Sequence, residues 1–159
     1  MQKVKELIPY VVIIIAILLL RTFIITPVRV DGTSMNKKLA DGDILLLYKL
    51  AKIDRYDIVV LDEEYDNEII IKRVIGLPGE TVEIKNNKIY INDEEIEDEY
   101  AYGQTSDYDK TTLAEDEYFI LGDNRLISKD SRTFGPIKSN SIKGQTIVRF
   151  WPLNKMGAV

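Results

Sequence analysis

Ser34, in Gly32-Thr33-Ser34-Met35, and Lys72, in Ile70-Ile71-Lys72-Arg73-Val74-Ile75, are the residues whose types could do chemistry together. A serine in a glycine-containing loop is common and by itself specifies nothing. Here the chain holds no histidine and no cysteine. A Ser-His-Asp arrangement is therefore excluded, and a serine nucleophile needs another base. The known substitute is a lysine whose desolvated amine takes the hydroxyl proton. The same composition argues against a catalytic zinc site and removes thiolate ligands and disulfides. No metal and no cofactor are expected.

Alternation along a strand places Ile70, Lys72 and Val74 on one face and Ile71, Arg73 and Ile75 on the other. Lys72 then projects between two β-branched apolar neighbours. Burial there disfavours the ammonium form, which is the condition for a lysine general base. The same strand pattern also fits an edge lysine that reaches solvent, so the strand alone decides nothing. A third stretch, Gly122-Asp123-Asn124-Arg125 and Ser128 to Pro136, is dense in polar and turn-forming residues. It reads equally as a loop capping a sheet and as the source of a hydroxyl that orients the lysine amine.

The elements that must position these residues follow from the rest of the chain. Its 159 residues suit one compact domain with an appendage. A net charge of -5 argues against nucleic acid as a partner. Lys3 and Lys5 precede an apolar run from Leu7 to Ile25, broken only by Arg21 and Thr22. As helix that run extends about 28 Å, close to the hydrocarbon thickness of a bilayer. It shows no polar face, unlike a helix packed on a soluble core. A cleavable leader shares the charged start and apolar centre, but no pair of small residues at cleavage spacing follows between Arg21 and Asp31. The expected organisation is a cytoplasmic amino terminus at 1–6, a transmembrane anchor at 7–25 and a domain at 26–159 facing outward. The lysines before the span set that orientation.

Beyond Pro27 the pattern is of short strands separated by turns. Ile44 to Leu47, Ile58 to Leu61, Glu68 to Ile75, Glu117 to Leu121 and Thr146 to Trp151 are apolar or alternating. Thr81 to Ile84, Asn86-Asn87 and Ile89 to Ile91 read as a hairpin. The fold class is therefore all-β behind one helix. The acidic, tyrosine-bearing segment from Asp93 to Glu117 lacks calcium-loop spacing and is expected to be a solvated, mobile insertion.

With these stretches assembled, the chain resembles the bacterial type I signal peptidases. Ser34-Met35 with Leu39 and Gly42-Asp43 is similar to the family's nucleophile box, and Arg55 to Val59 to its next box. Lys72-Arg73-Val74-Ile75-Gly76-Leu77-Pro78-Gly79-Glu80 resembles the lysine box. Gly122-Asp123-Asn124-Arg125, Ser128, Asp130-Ser131-Arg132 and Phe134-Gly135 resemble the last. The resemblance implies a coiled antiparallel β-sheet with a smaller β insertion at about 81–120, behind a single anchor of the form common in Gram-positive bacteria. It implies Ser34 as nucleophile, Lys72 as general base and Ser128 as the group that orients Lys72. It further implies the Ser34 N–H in the oxyanion hole and an Asp130–Arg132 ion pair beside the site. The substrates implied are signal peptides of secreted preproteins, with small residues one and three positions before the cut, met at a membrane lipid surface.

The chain departs from the family pattern in places. Gly32 stands where some members supply a second oxyanion hydroxyl. Lys37-Lys38 and Leu126-Ile127 replace the usual residues around the site. Rival readings keep the serine–lysine chemistry for a pilus or conjugation peptidase or a self-cleaving repressor. Others make the chain a silent assembly chaperone or a membrane-anchored binding module.

Overall fold

The computed structural model describes residues 2–61 and 69–159. Helix α1 (Gln2–Phe23) leaves its apolar side chains exposed from Leu7 to Phe23, and Glu6–Phe23 is long and apolar enough to cross a membrane. The helix ends earlier than the apolar run: Ile25 already opens strand β1 (Ile25–Arg29). Pro27 accounts for this, because it lacks an N–H and forces the residue before it into extended geometry.

Strands β2 (Ile44–Tyr48), β3 (Ile58–Leu61) and β4 (Ile70–Gly76) follow. The expected start of β4 at Glu68 lies outside the described residues. Next come β5 (Thr81–Lys85), β6 (Lys88–Ile91), β7 (Glu94–Ile96) and β8 (Tyr108–Thr112). The chain then runs through β9 (Glu117–Leu121), the four-residue helix α2 (Ser131–Phe134), β10 (Ile137–Lys138), β11 (Ile142–Trp151) and β12 (Gly157–Ala158). These strands form two antiparallel sheets. The larger has the order β1-β2-β11-β3-β4-β9-β10, with β12 added on β11; the smaller has the order β7-β6-β5-β8.

Register shifts in β11 against β2 and β3, and in β4 against β9, curl the large sheet, since an extra residue on one strand sharpens its twist. One cluster packs Val30, Met35, Leu39, Leu45 and Leu47 together with Ile71. Another joins Ile70 and Val74 to Val59, Leu61, Ile120 and Ile137. Ile75 and Phe119 meet the small sheet through Val82, Ile84 and Leu113. The expected Asn86-Asn87 turn is present, with both residues at positive φ (52° and 65°), the backbone that a tight hairpin needs and asparagine tolerates.

The structure redraws one boundary and adds strands to the acidic segment. The small sheet ends at Thr112, and β9 belongs to the large sheet through its pairing with β4, so the insertion is shorter than 81–120. The acidic segment, expected as a solvated, mobile insertion, contributes β7 and β8 and buries Thr105. Two of its carboxylates form ion pairs, Asp93 with Lys110 and Asp98 with Arg125. Most of its carboxylates are exposed, as expected of a solvated segment.

Candidate active site

The serine loop is fixed by its neighbours rather than by secondary structure. Met35 and Leu39 are buried in the core beside Leu45, and Leu39 N–H donates to the Met35 carbonyl at 2.9 Å. Before the serine, Gly32 N–H donates to Asp41 Oδ1 (2.9 Å). After it, Asn36 N–H donates to the Thr33 carbonyl (3.1 Å). Asp43 ties the loop to β11, accepting from Ala40 N–H and from Arg149 at 2.8 Å. Ser34 is thereby held half-buried at the edge of a cleft.

Lys72 comes from β4, opposite Val59 on β3, and is only 5% exposed. As alternation predicts, its same-face neighbours Ile70 and Val74 pack in one cluster with Val59. Its Nζ lies 2.8 Å from Ser34 Oγ and 3.2 Å from the Ile71 carbonyl. The contact with Ser34 is within the reach over which a proton passes between hydroxyl and amine. The cleft beside them, about 260 Å³, is lined by Val30, Gly32, Met35, Ile71, Ile127 and Lys129 among others. Ser34 N–H donates to no group among the described residues.

The polar loop after β9 closes the site from the other side. Asn124 N–H donates to the Ser34 carbonyl at 2.9 Å, and Asn124 Nδ2 approaches the Thr33 carbonyl at 3.4 Å. At Gly122 a Cβ would stand 2.1 Å from Ser128 Oγ and 2.8 Å from the Ser34 carbonyl oxygen. Only glycine lets the Ser128 side chain and the serine loop meet across this point. Ser128 Oγ is buried and makes no hydrogen bond among the described residues. Asp130 is fully buried and grips Arg132 through two 2.8 Å bonds. It also accepts from Gly122 N–H (3.0 Å) and caps α2. The Asp130–Arg132 pair thus braces the turn that carries Ser128.

Sequence reasoning passed over a second ion pair that is more deeply buried. Arg73, next to Lys72, donates twice to Asp123 at 2.8 Å, with both side chains about 3% exposed or less. Arg73 also donates to the Tyr56 carbonyl and stacks 3.7 Å from the Tyr100 ring centroid. Burial, then the Asp98 carboxylate, pushes the Tyr56 phenol above its usual value, so it stays neutral and donates to the Glu97 carbonyl (2.7 Å). Alternation could have signalled this network, because it turns Arg73 toward the face opposite Lys72, where a buried guanidinium demands a carboxylate.

A coiled antiparallel sheet behind an apolar helix, with a serine loop and a buried lysine meeting at one cleft, defines a membrane-associated peptidase architecture. The family model for signal peptidase, peptidase S26, matches residues 4–151. Signal peptidase I of Streptococcus pneumoniae (strain ATCC BAA-255 / R6) is 36% identical, over 93% of each chain. Signal peptidase I of Bacillus amyloliquefaciens is 37% identical, over 91% of this chain and 84% of its own. The crystal structure of a signal peptidase I from Enterococcus faecalis V583 superposes with a TM-score of 0.54 at 34% identity, covering 60% of this chain and 97% of that one. The chain belongs to the signal peptidase family, peptidase S26, and its function is removal of signal peptides from exported preproteins.

Proposed function

We propose that the cleavage runs by acyl transfer through a Ser34–Lys72 dyad. The observation that carries this reading is the 2.8 Å contact between Lys72 Nζ and Ser34 Oγ inside an apolar surround. With the amine neutral, Lys72 takes the Ser34 proton as Oγ attacks the scissile carbonyl carbon. The oxyanion that forms meets the Ser34 N–H. Lys72 then gives its proton to the departing amine of the mature protein. Water, losing a proton to Lys72, attacks the acyl carbon; as the ester bond breaks, Lys72 returns that proton to Ser34 Oγ and the cleaved signal peptide leaves with a new carboxyl end.

Ser128 acts through Lys72. Its buried Oγ lies against Gly122 beside the serine loop, and a buried hydroxyl without a partner costs about 1–3 kcal/mol, which an orienting contact to the amine removes. The Asp130–Arg132 pair holds that turn in place. The aliphatic floor of the cleft, Met35 and Ile71, suits the small side chains implied for the substrate. We further propose that α1 spans the bilayer with its amino terminus in the cytoplasm. The sheet domain then works on the outer surface, against lipid, where signal peptides emerge. The test is Ser34→Ala, assayed for preprotein cleavage alongside circular dichroism. Loss of cleavage with an unchanged spectrum is expected; near wild-type cleavage overturns the dyad.

A further inference from the structure

The junction between helix and sheet contains no slack. Helix termini leave carbonyls without intrahelical partners, which side chains, other backbone or water must satisfy. Here the catalytic domain supplies the partners. Lys49, on the turn after β2, donates through Nζ to the Thr22 carbonyl (2.8 Å) and through its N–H to the Ile24 carbonyl (3.0 Å). Thr26 Oγ1 donates to the Arg21 carbonyl (2.8 Å). The ammonium of Lys49 also sits at the negative end of the helix dipole, where a cation is favoured.

The Lys49 turn is itself held from behind. At Gly144 of β11 a Cβ would stand 2.5 Å from the Tyr48 carbonyl oxygen and 3.0 Å from Lys49 Cα, so β11 lies directly on that backbone. From the turn onward every step toward the nucleophile is tied. β1 pairs with β2 from Ile25 opposite Tyr48 to Arg29 opposite Ile44. Val30 N–H then donates to the Asp43 carbonyl, Gly32 N–H to Asp41, and the Ser34 carbonyl accepts from Asn124. Leu50, next to Lys49, is 65% exposed beside the helix exit, as fits a turn facing the bilayer.

We propose that Lys49 and Thr26 are positioning residues that lock the anchor helix to the catalytic sheet, so that the molecule selects preproteins by the distance between their apolar segment and their scissile bond. A flexible tether would let the cleft reach cuts over a range of heights. A rigid one holds Ser34 at one height. The inference rests on the membrane-spanning reading of α1 and on the proposed dyad.

The experiment uses the full chain in phosphatidylethanolamine vesicles, with and without phosphatidylglycerol. One substrate set is a preprotein series in which the number of residues between apolar segment and alanine-x-alanine site is varied. The other is a soluble peptide carrying the same site. Wild type is expected to peak at one spacing and fall about tenfold when three residues are added or removed. Lys49→Met combined with Thr26→Val should flatten that profile to within about threefold while peptide turnover stays within about twofold. Lys49→Arg, which keeps a cationic donor, should restore the peak. Insertion of Gly-Ser-Gly after Phe23 should flatten the profile without any side-chain change. Superimposable profiles for wild type and the double variant overturn the lock. So does a wild type indifferent to spacing, or an effect confined to anionic vesicles, which would assign Lys49 to lipid headgroups. Failure of wild type to cleave the soluble peptide overturns instead the dyad beneath the inference, and the two failures are read from separate substrates.

Discussion

Arg73 and Asp123 meet through two 2.8 Å bonds on the opposite side of β4 from the cleft that Lys72 faces. Two cationic residues adjacent in sequence are thus given opposite fates. The guanidinium is neutralised by a buried carboxylate on one face of β4, and Lys72 Nζ reaches Ser34 Oγ on the other. Asp123 compensates a guanidinium that burial would otherwise leave without a counter-charge.

Removing one partner should be costly. Asp123→Ala leaves a buried guanidinium uncompensated and is expected to destabilise the fold by about 3–5 kcal/mol. Replacing both, with Arg73→Met and Asp123→Leu, should cost much less. Urea unfolding of the single and double variants measures the difference. Equal stability of Asp123→Ala and wild type would show that the pair carries no structural weight.

Gly122→Ala should disable the enzyme although it adds one methyl group. The new carbon would overlap Ser128 Oγ and crowd the Ser34 carbonyl, so the serine loop and the polar turn must separate. A loss of at least about a hundredfold in kcat/KM is expected, in keeping with the sensitivity of catalysis to misplacement of about 1 Å. Unchanged kinetics with an unchanged melting temperature would contradict the shared packing point.

The apolar flanking of Lys72 was legible from sequence because strand alternation is local: Ile70 and Val74 flank it in the chain and in space alike. Its burial was not, since the same pattern fits an edge lysine. The hairpin at Asn86-Asn87 was legible for the same reason. What sequence did not reveal depends on contacts between distant residues. The partners Arg125 and Asp98, which order the acidic segment, and Gly122, whose bareness matters only because Ser128 and Ser34 converge on it, belong to this class. The helix end moved from Ile25 to Phe23 because hydropathy continues across Ile24-Ile25 while Pro27 already dictates an extended backbone.

Cutting the chain after Phe23, which spares β1, should leave a domain that folds and cleaves peptides. The domain exposes Phe150, Trp151 and Leu153 at the Ile44 end of the β2–β11 pair, and Leu50 at the other end beside the helix exit. Exposed aromatic and aliphatic side chains of this kind favour association in plain buffer. Sedimentation should therefore show association without detergent and a monomer with it. A domain that is monomeric in plain buffer and indifferent to lipid would contradict a membrane-facing surface.

The most direct test of the dyad is the pH dependence of kcat/KM on a peptide containing an alanine-x-alanine site. The active form of a lysine base is the neutral amine, so efficiency should rise with pH as Lys72 loses its proton. An unperturbed lysine titrates near 10.4, which would leave only about one molecule in a thousand active at neutral pH. Burial among Ile70, Val59 and Val74 disfavours the charged form, and the rise should therefore fall well below that value. Lys72→Arg, whose guanidinium stays charged, should be inactive at every accessible pH, and Ser128→Ala should keep a reduced rate. Efficiency that climbs only above about pH 10, or normal cleavage by Lys72→Arg, would contradict Lys72 as the base.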